Sequence, residues 1–122
     1  MILILLMDKR YLMGLIEGEG SFGVYYKETK YTKKNNEVKI HKSLQVNFSL
    51  GMSLRDKEMV SSIKEFLGFG RIYLSEKRKT IYYRISSKKD AKKIIQFIDG
   101  CGGFLGFKNK QYIEWKNKIN NL

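Results

Sequence analysis

Two carboxylates, Glu17 and Glu19, stand one glycine apart in the run Leu12-Met13-Gly14-Leu15-Ile16-Glu17-Gly18-Glu19-Gly20. Leu12, Leu15 and Ile16 recur at helical spacing, and the period-two pattern that starts at Ser21-Phe22 is that of a strand. The acidic pair therefore lies where a helix stops, and there either side chain can cap, face solvent or do chemistry. Gly14 and Gly18 are four apart and share one helix face. Each costs roughly 1 kcal/mol of helix propensity, a cost that close approach of another helix backbone would offset. Other chemistries find little support. His41 is the only histidine and Cys101 the only cysteine, so neither a disulfide within the chain nor a zinc cluster can be built. Cys101, between Gly100 and Gly102-Gly103, fits a small turn residue, and His41 fits a strand start. Gly18-x-Gly20-x-x-Gly23 matches a dinucleotide fingerprint in letters only, because that motif needs a strand before it and a helix after it. Gly18-Glu19-Gly20-Ser21-Phe22-Gly23-Val24 is similar to a kinase glycine-rich loop, but the chain has no HRD or DFG partner.

The elements that must position these residues follow from patterning. A length of 122 residues fits one domain, 1–122. The excess of 24 Lys and Arg over 12 Asp and Glu, a net charge of +12, favours a polyanionic partner. The apolar residues 1–7 are too short to span a bilayer and lack the flanks of a signal peptide; they either extend the motif helix or precede a start at Met7. No long basic amphipathic helix supports a membrane partner. Phe22, Val24 and Tyr26 predict the inner face of a first strand, and Thr29 to Lys39 a polar connection turning at Asn35-Asn36. A second strand spans about Ile40 to Leu50, with Leu44, Val46, Phe48 and Leu50 inward and Ser43, Gln45, Asn47 and Ser49 outward. That outward face is all amide and hydroxyl, which suits solvent and equally suits base edges. Ser53 to Asp56 resembles a capping box ahead of a helix with Met59, Val60, Ile63, Phe66 and Leu67 inward, stopped by Gly68. Two short strands follow, with Ile72 and Leu74, then Ile81, Tyr83 and Ile85, facing the core. Ser87 to Asp90 opens a helix of Ala91, Ile94, Ile95 and Ile98 that ends at Gly100, and Lys108 to Asn120 forms the last helix around Tyr112, Trp115 and Ile119. The order helix, hairpin, helix, hairpin, helix, helix predicts an α+β fold, a four-stranded antiparallel sheet with helices on one face and the other face open and basic.

The run Leu12 to Gly20 followed by Ser21-Phe22 resembles the signature of the LAGLIDADG homing endonucleases, and the element order matches that fold over nearly the whole chain. Phe104-Leu105-Gly106-Phe107-Lys108-x-Lys110 with Tyr112 and Trp115 is similar to the family's C-terminal pattern. The resemblance implies a homodimeric, site-specific, double-stranded DNA endonuclease using Mg2+ or Mn2+, encoded in an organelle intron of a mitochondrion or chloroplast. An RNA-splicing maturase acting on intron RNA is the alternative. The motif helix would form the dimer interface through Tyr11, Gly14, Leu15 and Gly18. Glu19, where the family usually has aspartate, would be the catalytic metal ligand, with the Gly18 carbonyl as a second, and Lys108 would lie near the cleaved phosphate. Met52 stands where some members have a water-positioning glutamine. The open face would enter the major groove of an approximately palindromic site with Tyr25, Lys27, Thr29, Ser43, Gln45, Asn47, Ser49, Arg71, Tyr73, Ser75, Tyr82 and Arg84, assigned by strand alternation. Lys33, Lys34, Lys77 and Lys79 on the hairpin tips would contact phosphate.

Overall fold

The computed structural model describes residues 7–122. Helix α1 (Lys9–Glu19) opens on Asp8, whose carboxylate caps it by accepting a hydrogen bond from the Tyr11 amide at 2.8 Å. The expected extension through residues 1–6 lies outside the described residues. Strands β1 (Gly20–Thr32) and β2 (Val38–Ser53) form a long hairpin, a 3-10 turn (Leu54–Asp56) leads into α2 (Lys57–Leu67), and β3 (Arg71–Ser75) and β4 (Thr80–Ile85) form a short hairpin. Helices α3 (Lys88–Gly100) and α4 (Lys108–Asn120) complete the chain. The strands lie in the order β1-β2-β4-β3, antiparallel throughout. Among the described residues no helix is long and apolar enough to cross a membrane.

Alternation decides the inner face. Val46, Phe48 and Leu50 of β2 and Ile81, Tyr83 and Ile85 of β4 are buried beneath the helices, together with Leu12, Ile16, Val60, Ile63, Ile94, Ile98 and Ile119. An aromatic cluster ties α4 to the sheet: Phe22 lies 5.0 Å from Trp115, 5.2 Å from Phe48 and 5.6 Å from Tyr112, between ring centroids. The polar tips of these rings are satisfied, as burial demands. The Trp115 indole donates to the Gly23 carbonyl and the Tyr83 hydroxyl to the Phe69 carbonyl.

The structure differs from the sequence expectation chiefly where elements outrun the core. The expected polar connection from Thr29 is strand as far as Thr32, and β2 begins at Val38 and runs to Ser53, because the ladder continues through Thr32 opposite Val38. Beyond the last helix both faces of this hairpin meet water, so Tyr26, expected inward, is exposed. Leu74 near the end of the edge strand and Phe66 on the rim of α2 are exposed as well. Ser53 caps the 3-10 turn through the Arg55 amide and not α2 itself. Gly100 remains helical; the chain turns after Cys101 through Gly102 and Gly103, both at positive φ. Ser87 caps α3 through the Asp90 amide, as expected.

Candidate active site and nucleic-acid interface

Glu19 closes α1 and is exposed. The next residue explains why the helix stops there. A Cβ at Gly20 would lie 2.6 Å from the Ile16 carbonyl oxygen and 2.9 Å from its Cγ2, so only glycine lets the chain leave α1 and enter β1 so tightly. Glu19 lines a cleft of about 540 Å³ whose wall includes Leu15, Gly51, Met52, Ser53, Asp56, Thr80 and Tyr82. Met52, half-buried, is thus brought to the acidic residue, where its thioether sulfur offers a water only a weak acceptor and no donor. Ser53, Asp56 and Thr80 add oxygen atoms to the same wall, and oxygen donors suit magnesium or manganese. Among the described residues one chain holds no group of three or more His, Cys, Asp or Glu side chains placed to bind a metal ion.

Lys108 opens α4 and its ammonium donates to the Gly20 carbonyl at 2.6 Å, one residue from Glu19. It lines a second cleft with Ser21, Gln111, Glu114 and Lys118, which shares no lining residue with the Glu19 cleft. The two expected catalytic residues are therefore joined through the backbone between them and not by an ion pair. Glu17 sets this geometry. Its carboxylate accepts the amides of Leu105 and Gly106, while the Asn109 side chain accepts the Phe104 amide, so the loop ahead of Lys108 is held from both sides. Glu17 is a cap, but of a loop 88 residues away and not of its own helix. No local spacing signals that contact.

The four residues expected at a dimer interface form one stripe of α1. Tyr11, Gly14, Leu15 and Gly18 follow one another at helical spacing. Gly14 and Gly18 are exposed, and a Cβ at either would meet nothing within 4 Å. Tyr11 is exposed and its hydroxyl donates to the Met59 sulfur, while Leu15 reaches the Glu19 cleft. The stripe is open and leads directly to Glu19.

Strand register assembles the open face. Tyr25 stands opposite Gln45, Lys27 opposite Ser43, Thr29 opposite His41, and Gly23 opposite Asn47. Ser49, Arg84 and Arg71 form a row with Ser21, Tyr82 and Tyr73 a row with Gly51, and Ser75 pairs with Thr80. Every face residue named from alternation is placed on this surface. A Cβ at Gly51 would lie 2.7 Å from the Tyr82 ring, which lies across that glycine. Sequence reasoning missed Ser21, Tyr31, Lys39 and His41, which register also puts there; the long polar hairpin hid Tyr31 and Lys39, and period-two counting from Tyr25 would have found them. Lys33 and Lys34 lie in the first hairpin's turn beside Asn36, at φ 64°, and Lys77 and Lys79 in the second, with Lys79 at φ 51°.

The model of the LAGLIDADG endonuclease family matches residues 12–119, from α1 to the end of α4. The chain belongs to that family. A probable intron-encoded endonuclease of Neurospora crassa is 31% identical over 87 residues, 70% of this chain and 15% of its own length. One of Schizosaccharomyces pombe is 29% identical over 90 residues, 74% of this chain and 21% of its own. The chain thus spans about a fifth or less of these curated relatives. Among solved structures, the LAGLIDADG homing endonuclease I-LtrWI bound to target DNA superposes with a TM-score of 0.75 at 29% identity, covering 93% of this chain and 36% of that one. The homing endonuclease I-TnaI superposes at 0.76 with 18% identity, over 93% of this chain and 71% of its own, and shows the shared fold. The LAGLIDADG fold expected from element order is the fold observed.

Proposed function

We propose that the protein is a site-specific endonuclease for double-stranded DNA, hydrolysing phosphodiester bonds with magnesium or manganese where two copies of the domain meet. The observation that carries this reading is the open stripe of α1 that ends at exposed Glu19. Two copies packed through Gly14 and Gly18 bring identical surfaces together about a two-fold axis, and with them two Glu19 carboxylates. Like charges that close repel unless a cation lies between them. Glu19, with the Gly18 carbonyl, would hold the metal. When bound, such an ion lowers the pKa of water and offsets charge on the phosphate and leaving oxygen. The chain's own part is positional. Gly20 lets Glu19 project at the helix end, the Glu17-anchored loop holds Lys108 beside it, and the Lys108 ammonium offsets negative charge as the phosphate becomes pentacoordinate.

The open face would supply recognition, entering the major groove with its amide, hydroxyl, tyrosine and arginine side chains while the hairpin-tip lysines meet phosphate. Homing endonucleases of the same fold solved on DNA support this assignment. Curated relatives named as intron-encoded, and a composition rich in Lys, Ile, Asn and Tyr that suits an AT-rich gene, support an organellar source, mitochondrial or chloroplast. The test is selection of a target from a randomised duplex library, followed by incubation of that duplex with protein and magnesium. Double-strand cleavage at a near-palindromic site is the expected result. Tight selection with no cleavage would replace the nuclease by a nucleic-acid binder of the same fold, such as a maturase that binds intron RNA.

A further inference from the structure

One patch of the open face holds an arrangement that works against the sheet. Arg71 of β3 and Arg84 of β4 are direct cross-strand partners, and like charges so placed are destabilising. The Arg84 guanidinium is nevertheless fixed, its Cζ 5.0 Å from the Tyr73 ring centroid and 5.2 Å from that of Tyr82. Those tyrosines are themselves direct partners two residues along the same face. The Arg84 Nε is buried with no hydrogen-bond partner, so the group's free donors are its Nη atoms. Asp90, the carboxylate that lines the adjoining cleft with the two arginines, lies 3.9 Å from Lys93, and among the described residues no ion pair joins it to Arg71 or Arg84.

We propose that Arg84, held by Tyr73 and Tyr82, is a preorganised reader of one guanine in each half-site, with Arg71 beside it strengthening the same contact. The proposal rests on the DNA-binding reading above. Stacking on aromatic rings fixes the plane of a guanidinium and limits the rotamer freedom lost on binding. A fork offering two parallel N–H groups matches O6 and N7 of guanine, the base that presents two adjacent acceptors in the major groove. Phosphate is the competing acceptor. The pair's position disfavours it: Arg84 lies mid-sheet in a row with Ser49 and Ser21, away from the lysine-bearing tips. A guanine edge would also offset the Arg71–Arg84 repulsion that the free sheet carries.

The experiment measures equilibrium binding, without divalent metal, to the duplex recovered by selection. Each guanine is replaced in turn by 7-deazaguanine, which lacks N7, and each nearby phosphate by a neutral methylphosphonate. Wild type should lose affinity several-fold at one guanine per half-site, part of the roughly 5- to 150-fold worth of a full bidentate base contact, because O6 remains. Arg84→Lys, which keeps the charge and loses the fork, should be markedly less sensitive to that same replacement, because a mobile ammonium holds no fixed pair of donors on O6 and N7. The inference is overturned if every 7-deazaguanine duplex binds wild type unchanged, or if Arg84→Lys cancels a methylphosphonate penalty instead of a base penalty. The modified duplexes report on wild type alone, so the result stands even if the variant does not fold. Failure to select any duplex would overturn the DNA-binding reading, and the guanine assignment with it.

Discussion

Lys108 is anchored at the α1–β1 junction. Its ammonium is fixed on the Gly20 carbonyl, which points to a positioned charge beside the Glu19 junction. Lys108→Met should slow single-turnover cleavage by roughly 100-fold, the cost of losing one charge-stabilising donor, while equilibrium binding to the same duplex changes far less. Equal losses in both would make Lys108 one phosphate contact among many. Asp99 does a different task. It accepts the Tyr112 hydroxyl at 2.7 Å and the Lys116 ammonium at 2.6 Å, joining α3 to α4. Burial raises its pKa, but the hydrogen bonds from Lys116 and Tyr112 outweigh that and hold the carboxyl below its ordinary value of 3.8. A depressed folded-state pKa means stability that is present above the unfolded value and lost as pH falls through the folded one. Urea unfolding followed downward from about pH 5 should show this loss in wild type, and Asp99→Asn should flatten it. At this scale the sequence displayed Glu19 and Lys108 through motif resemblance. It gave no sign of Glu17 reaching Leu105 and Gly106, or of Asp99 meeting Tyr112, because the first pairing depends on tertiary closure and the second on how α3 packs against α4.

Among the elements, α1 is the one with two tasks. Leu12 and Ile16 bury one side in the core while Gly14 and Gly18 leave the other open. Gly14→Leu adds bulk where the single chain has room, so the fold should survive and helix-to-helix association should weaken. Light scattering on free and DNA-bound protein measures this; wild type should be dimeric on DNA and the variant shifted toward monomer. A wild-type monomer in both states would exclude the two-copy site. Glu17→Ala should release the loop before α4 and cost about 1–3 kcal/mol in urea unfolding, an effect that Glu17→Asp would not fully restore because the shorter side chain falls short. Periodicity identified every core helix and all four strands, since burial on one face leaves a regular pattern. Strand ends were less legible. Hairpin pairing past Thr29 is held by backbone ladder bonds, with the exposed Lys42–Glu28 pair at 3.6 Å one step before it, and neither leaves an apolar alternation to count.

For the whole molecule, charge and shape point one way. A net charge of +12, lysines at both hairpin tips and an open polar sheet predict binding that weakens steeply with salt through release of counterions from DNA. Lys33→Ala or Lys77→Ala should each reduce the slope of log affinity against log salt by about 1 without altering base preference; a changed preference would move those lysines from phosphate to base contact. In the proposed assembly two copies place their Glu19 carboxylates together to cut DNA held by the sheets. Affinity and chemistry then reside in different parts of the molecule. Glu19→Gln keeps the side chain's shape and removes its charge, so it separates them. The decisive measurement is single-turnover cleavage of the selected duplex with magnesium, beside equilibrium binding of the same duplex, for wild type and Glu19→Gln. Wild type should cut both strands, and Glu19→Gln should bind at least as tightly and not cut. Cleavage by Glu19→Gln at the wild-type rate would contradict the proposed assembly.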